Sequence, residues 1–424
     1  MTADEARDSA GGPAFWKIAG AGATFQAGSS AVDSATIVAS LVNHLTGSVY
    51  AVGAASAVLR LGWLSTQLVV GFLAQRAARR MPYYVVGAFG RATCLALIAV
   101  LLAIAGDSTG SWLAIAFLSL WTLYAFVSGI VAVPYNDIVG RSIPSNARSR
   151  MLAWRFFGGG VLALGIAAIV HRLLTTGPLL SAYAMIFALA AALMLVSSIS
   201  FVSAGEPPAP PFPKEDKSAT GFQGFMKEGL TVLKSDGRFR LFLYTQWLGG
   251  ATLMALPFYV VAATGAGLGP QDVGILLAAQ TAGSLASNAL WGRIGDSHGK
   301  LRLLQSVGLL RLAPPLGMLA ILMVGDLSAP EALWSFAALF FTIGALVNGM
   351  TIGYLGYLME ISPDDRRPAY SAYFNTLASP AALLPLVGAL IADALSLNAL
   401  FTVAAGAAIL QLYFFKRLAR WEDS

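Results

Sequence analysis

Apolar runs of about twenty residues recur between residues 17 and 415, and nothing else in the chain restricts its fold so tightly. A helix rises ~1.5 Å per residue, so about twenty residues cross ~30 Å of hydrocarbon. Inside a bilayer every peptide group must find its partner within the protein, which leaves helices and closed barrels. Barrel strands alternate in hydropathy over about ten residues, whereas these runs are continuously apolar. Composition agrees: 57% of residues are hydrophobic and 11% are charged, against roughly 25% charged in an average globular chain. The sequence predicts an all-α membrane protein.

The runs divide into twelve expected spans: 17–38, 49–73, 83–105, 112–135, 150–170, 180–202, 239–262, 273–292, 303–324, 332–357, 369–391 and 397–415. Cations cluster after the second, fourth, eighth and tenth of them, and again at Lys416, Arg417 and Arg420, whereas Arg172 is the clear exception in the opposite loops. Lys and Arg collect on the cytoplasmic side of such proteins. Both termini and the central loop are therefore expected in the cytoplasm, with the chain in the cytoplasmic (inner) membrane. This placement also accounts for the net charge of +6 without nucleic acid as a partner. The polar, acidic start leads into a full-length apolar run, so no cleavable signal is expected. One cysteine, Cys94, excludes an internal disulfide.

A short charged turn stands between spans eight and nine: Gly292, Asp296, Gly299, Lys300 and Arg302. A weaker copy lies between spans two and three, at Gly71, Gln75, Arg76, Arg79 and Arg80. A second repeated block follows spans four and ten, with Arg148 and Arg150 answered by Asp364, Asp365, Arg366 and Arg367. Arg91 and Arg311 also match, each soon after its charged turn. Correspondences in the same order indicate duplicated halves. The expected domains are a six-helix bundle at 1–202, a connector at 203–238 and a second six-helix bundle at 239–424, the two bundles related by pseudo-symmetry. The connector opens with a proline-rich spacer at 206–213 and continues with Phe222, Phe225, Met226, Leu230 and Leu233 at helical spacing, an amphipathic helix for the membrane interface.

These features resemble the major facilitator superfamily over the whole length. The family's signature is a glycine, an aspartate, a second glycine and then basic residues, and Gly292, Asp296, Gly299, Lys300 and Arg302 follow it. The first copy departs, with Gln75 for the acid and Ala78 for the later glycine. The stretches 133–155 and 358–375 resemble a bacterial branch of permeases with no settled substrate. The resemblance implies a fold with spans 1, 4, 7 and 10 around a central cavity and spans 3, 6, 9 and 12 outside.

Ionisable residues inside a span cost several kcal/mol unless paired or hydrated, so each is a site candidate. Asp33 shares one face of span 1 with Gln26, Ser29 and Ser30. At ~1.5 Å per residue, Asp33 lies ~24 Å and Arg60 ~20 Å from the cytoplasmic ends, depths that permit an ion pair. That pair is either a brace between the first two helices or a link that substrate or a proton breaks. Arg91 and Arg311 fall on helices the resemblance places outside, which favours snorkelling or carbonyl capping. Arg155, near a helix start, can reach the interface. Neutral candidates are Tyr124 on span 4, Gln246 on span 7, Gln280 on span 8, Asn348 on span 10 and Asn375 on span 11. Such stripes also serve as helix–helix contacts.

No Gly-rich phosphate loop ending in Lys-Ser/Thr is present, and the three histidines form no spaced metal cluster. An enzyme is not expected, nor any cofactor or metal. The expected function is secondary active transport of a small organic solute by alternating access, leaning to an anion because the deep arginines outnumber Asp33. The partners are that solute and the bilayer, with the proton as the coupling ion considered, and the chain is expected to be a monomer. The alternatives are a proton-driven drug or metabolite efflux pump using Asp33, and a transport-inactive receptor or assembly member of the fold. The charged loops also suggest a cytoplasmic latch. It would join Arg76, Arg79 and Arg80 to Asp364 and Asp365, and Asp296 to Arg148 and Arg150.

Overall fold

A computed structural model describes residues 12–75, 77, 79–106, 110–208, 222–325, 327–362 and 367–422, and among them regular structure is helical throughout. The first half runs α1 (Pro13–Ala31), α2 (Ile37–Thr46), α3 (Val49–Gln75), α4 (Met81–Ala105), α5 (Ser111–Gly129), α6 (Ala132–Ser142), α7 (Ser145–Thr176) and α8 (Leu179–Val202). The connector contributes α9 (Phe222–Ser235). The second half runs α10 (Gly237–Leu253), α11 (Phe258–Gly265), α12 (Val273–Ser297), α13 (Lys300–Leu310), α14 (Ala313–Val324), α15 (Ala329–Ile361), α16 (Arg367–Ala378), α17 (Leu384–Ala394) and α18 (Leu397–Glu422).

Among the described residues, ten helical segments are long and apolar enough to cross a membrane. The second expected span is the 27-residue helix α3. The first is interrupted between α1 and α2, where one oxygen of Asp33 accepts hydrogen bonds from Ala35 N (3.0 Å), Thr36 N (3.0 Å) and Thr36 Oγ1 (2.9 Å). A carboxylate bonded to the next free amides acts as a cap does and supports a break inside a span.

Other spans expected as single helices are also broken, and the breaks follow proline. Span 7 parts between α10 and α11 beside Pro257, span 9 between α13 and α14 beside Pro314 and Pro315, and span 11 at a 3-10 turn (Ser379–Leu383) containing Pro380. A proline ring cannot donate and collides with the preceding turn, so the helix ends or bends there. Hydropathy alone does not register these interruptions, because proline and its apolar neighbours keep the run hydrophobic.

The chain packs as two compact units: the described residues of Met1–Pro210 with Val260–Thr281, and those of Pro211–Tyr259 with Ala282–Ser424. Residues 260–281 thus join the first unit although the expected halves part at the connector. In that unit α4 packs along α8, and α1 lies against α7 and α8. A core of Phe15, Ile18, Tyr84, Ile138, Met151 and Phe201 sits near one end. The second unit is built on Phe239, Phe242, Trp291, Leu304, Tyr357 and Phe415, with α10 and α13 both packed on α18. Large apolar side chains such as Ile104, Ile115, Met323 and Trp334 stay exposed on the helices, as a lipid-facing surface requires.

Candidate functional site

The first unit holds a cavity of about 430 Å³, within the range of ligand pockets. Three arginines line it from three helices: Arg60 of α3, Arg91 of α4 and Arg155 of α7. Three tyrosines, Tyr84, Tyr124 and Tyr135, stand with them, and Phe25 and Trp63 supply apolar wall.

Each arginine is held differently. The guanidinium of Arg91 lies 4.4 Å from the centroid of the Phe25 ring, a cation–π contact that leaves the N–H edge free. Its Nε is buried without a hydrogen-bond acceptor. Arg155 donates from Nη1 to the Tyr135 hydroxyl at 2.9 Å, and its Nε is likewise buried and unpartnered. Its stem crosses Gly22 of α1, where a Cβ would run into Arg155 Cγ and Cδ; glycine there allows the close approach. Arg60 makes no ion pair with any described residue.

No carboxylate lines the cavity among the described residues. The nearest in sequence, Asp137, follows the lining residue Asn136 but pairs with Arg141 at 2.6 Å and Arg80 at 3.7 Å. Unpaired buried charge costs several kcal/mol per ion, and three arginines line this one space.

The other sequence candidates are dispersed. Asp33 and Arg60 form no ion pair, because the Asp33 carboxylate is taken up by Ala35 and Thr36 at the helix break, with the Gln280 amide facing it. Gln26 and Ser30 each keep a buried, unpartnered oxygen on α1, and Gln26 packs against Gly159. In the second unit, Asn348 donates to Ser284 Oγ at 2.6 Å, the helix–helix contact weighed against a cavity role. Gln246 is half-buried and Asn375 exposed. Arg311 donates to Gln411 Oε1 at 3.0 Å, and Gln411 in turn bonds Thr245 O and the Tyr354 hydroxyl.

Three latch residues, Arg76, Asp364 and Asp365, lie outside the described residues. Gly71 and Gln75 fall in the last turns of α3, and Arg79 and Arg302 are exposed. Asp296 pairs within its own turn with Lys300 at 3.2 Å. Gly299 has φ +85° at the head of α13, a conformation that favours glycine and so explains that signature position; Gly292 faces open space. Arg148 donates to the carbonyls of Gly140 and Ile143, and the Arg150 guanidinium lies 5.2 Å from the Phe15 ring.

Sequence reasoning passed over Glu206. Its carboxylate accepts from Arg80 N (2.7 Å), Met81 N (3.0 Å) and Arg141 Nη2 (2.9 Å), capping α4 from the far end of α8. Burial would raise this carboxyl, but the three donors outweigh burial and hold it below its ordinary range. The missing acid of the first charged turn thus has a counterpart in its own unit, 131 residues after Gln75 by number (206 − 75). Within the sequence, Glu206 is the first residue of a proline-rich spacer, and no periodicity sets it apart.

Residues 253–422 match the family model described as Major Facilitator Superfamily. Uncharacterized proteins of Mycobacterium tuberculosis and Mycobacterium bovis are 22% identical over 277 residues, which is 64% of this chain and 51% of theirs. The chain therefore matches about half the length of these relatives. Among solved structures, the nucleoside transporter NupG superposes with a TM-score of 0.66 at 12% identity, covering 96% of this chain and 98% of that one. The POT family transporter PepTSo does so with a TM-score of 0.66 at 13% identity, covering 96% and 97%. Residues 253–422 thus resemble the major facilitator superfamily, and the chain shares the fold of these transporters over 96% of its length.

Proposed function

We propose that the protein is a secondary transporter of the cytoplasmic membrane that moves a small organic anion by alternating access, with both termini in the cytoplasm. The observation that carries the reading is the convergence of Arg60, Arg91 and Arg155 on one cavity without an acid among the described lining residues. Guanidinium forks match carboxylate, phosphate and sulfonate oxygens, and Phe25, Trp63 and Tyr124 offer flat faces to a ring on the same solute. Nucleosides and peptides are the cargo named for structural neighbours of the same fold; a nucleoside brings no anionic group to three arginines, and a simple peptide brings one carboxylate together with its own ammonium.

A proton-driven pump through Asp33 is less well supported, since that carboxylate already caps a helix break. A transport-inactive receptor with a collapsed cavity fits poorly with an open volume of about 430 Å³. Binding of phthalate, an aromatic dianion, against its uncharged diamide tests the reading in purified protein. Phthalate is expected to raise the melting temperature saturably and the diamide to leave it unchanged. Equal shifts from both would remove the case for an anion site.

A further inference from the structure

The charge balance of the cavity bears on how the carrier cycles. During alternating access the site must pass through a state closed to both sides. There the three guanidiniums would face one another across a dry space with no acid among the described lining residues. Two of them, Arg91 and Arg155, also keep a buried Nε–H without an acceptor. Closing the empty cavity removes the water that solvates these groups. Closing it around an anion replaces that water with oxygens that neutralise the charge and accept the orphan donors. Arginine stays protonated at any physiological pH, so deprotonation cannot discharge the site.

We propose that the protein is an obligatory anion exchanger, a mechanism that rests on the cavity being an anion site. The cavity crosses only when an organic anion occupies it, so export of one anion requires import of another. No covalent step is involved, and charge balances as one anion for one anion. Substrate reaches each side bound to the same three cations, and the unloaded form waits on whichever side released its cargo.

The test uses the full-length protein in liposomes loaded with labelled potassium phthalate, with valinomycin so that potassium compensates any net charge movement, and diluted into sucrose medium with or without unlabelled potassium phthalate. Efflux is expected to be at least about tenfold faster into the phthalate medium, a difference of ~1.4 kcal/mol in barrier. Arg91→Gln, with one cation fewer, should narrow that ratio by speeding efflux into plain sucrose. Equal wild-type rates in both media, faster than protein-free vesicles, overturn exchange while leaving the anion site standing. Efflux no faster than from protein-free vesicles in either medium, despite saturable phthalate binding, overturns it too. Absence of phthalate binding removes the anion site itself, and exchange with it.

Discussion

Arg91 and Arg311 occupy matching places in the two repeats and have opposite surroundings. Arg311 is fixed in a buried network with Gln411, Tyr354 and Thr245, whereas Arg91 sits over Phe25 with an unpartnered Nε on a cavity wall. Substitution should separate the two roles. Arg311→Gln leaves buried acceptors unmatched and is expected to cost about 2–3 kcal/mol of stability, seen as a lower melting temperature in detergent. Arg91→Gln removes a charge that has no mate and should leave the melting temperature nearly unchanged while weakening phthalate at least about tenfold, ~1.4 kcal/mol. Gly22→Val acts on the same site indirectly: its side chain would occupy the path of the Arg155 stem. Phthalate affinity should fall several-fold with the fold intact, as titration calorimetry would report. Sequence position gave Arg91 and Arg311 one shared reading, as snorkelling or capping side chains. Their divergence depends on neighbours such as Phe25 and Gln411, which are distant in sequence and carry no motif.

Among elements, the broken first span shows what hydropathy conveys and what it omits. The run from 17 to 38 is legible as a span, yet the interruption between α1 and α2 arises from Asp33 bonding the amides of Ala35 and Thr36. A buried acid reads equally as a transport group or as a cap. Asp33→Asn keeps a side-chain oxygen for those amides and loses the charge, so phthalate exchange should survive it. Asp33→Leu, lacking the acceptor, should lower stability by ~1 kcal/mol. Loss of exchange in the Asn variant alone would restore Asp33 as a proton carrier. The junction of α8 with α4 carries its own pH dependence. Because Glu206 is held below its ordinary range, its contribution is present above the unfolded pKa, near 4.3, and fades as pH falls through the lower folded value. Glu206→Gln should therefore melt earlier than the wild type at pH 7.5, by about 1–2 kcal/mol for its charge-assisted bonds, and the gap should narrow progressively as the medium is acidified below the unfolded pKa. The proline breaks of spans 7, 9 and 11 are visible as residues; that each parts a span depends on which neighbouring helices hold the freed carbonyls.

At the scale of the molecule, twelve apolar runs, two charged turns and paired arginines are enough to indicate the superfamily fold, because membrane insertion writes its demands into composition and loop charge. The cavity is not legible in the same way. Arg60, Arg91 and Arg155 each stand out in the sequence, but on the second, third and fifth expected spans, and no spacing rule brings three helices to one point. The cavity's chemistry also bears on energy coupling. The described lining side chains include arginines and tyrosines, whose ordinary pKa values lie at about 10 or higher, and no carboxylate or histidine. Imposing a gradient of one or two units across the liposomes should leave the initial phthalate exchange rate within about twofold. A rate that follows the gradient would place a titrating group in the cycle.

The sixteen described residues that line the cavity all belong to the first unit. Under the proposed exchange, a cargo held there rides with its unit as a passenger with a fixed seat, and the concentrations waiting on the two sides decide which way each passenger travels.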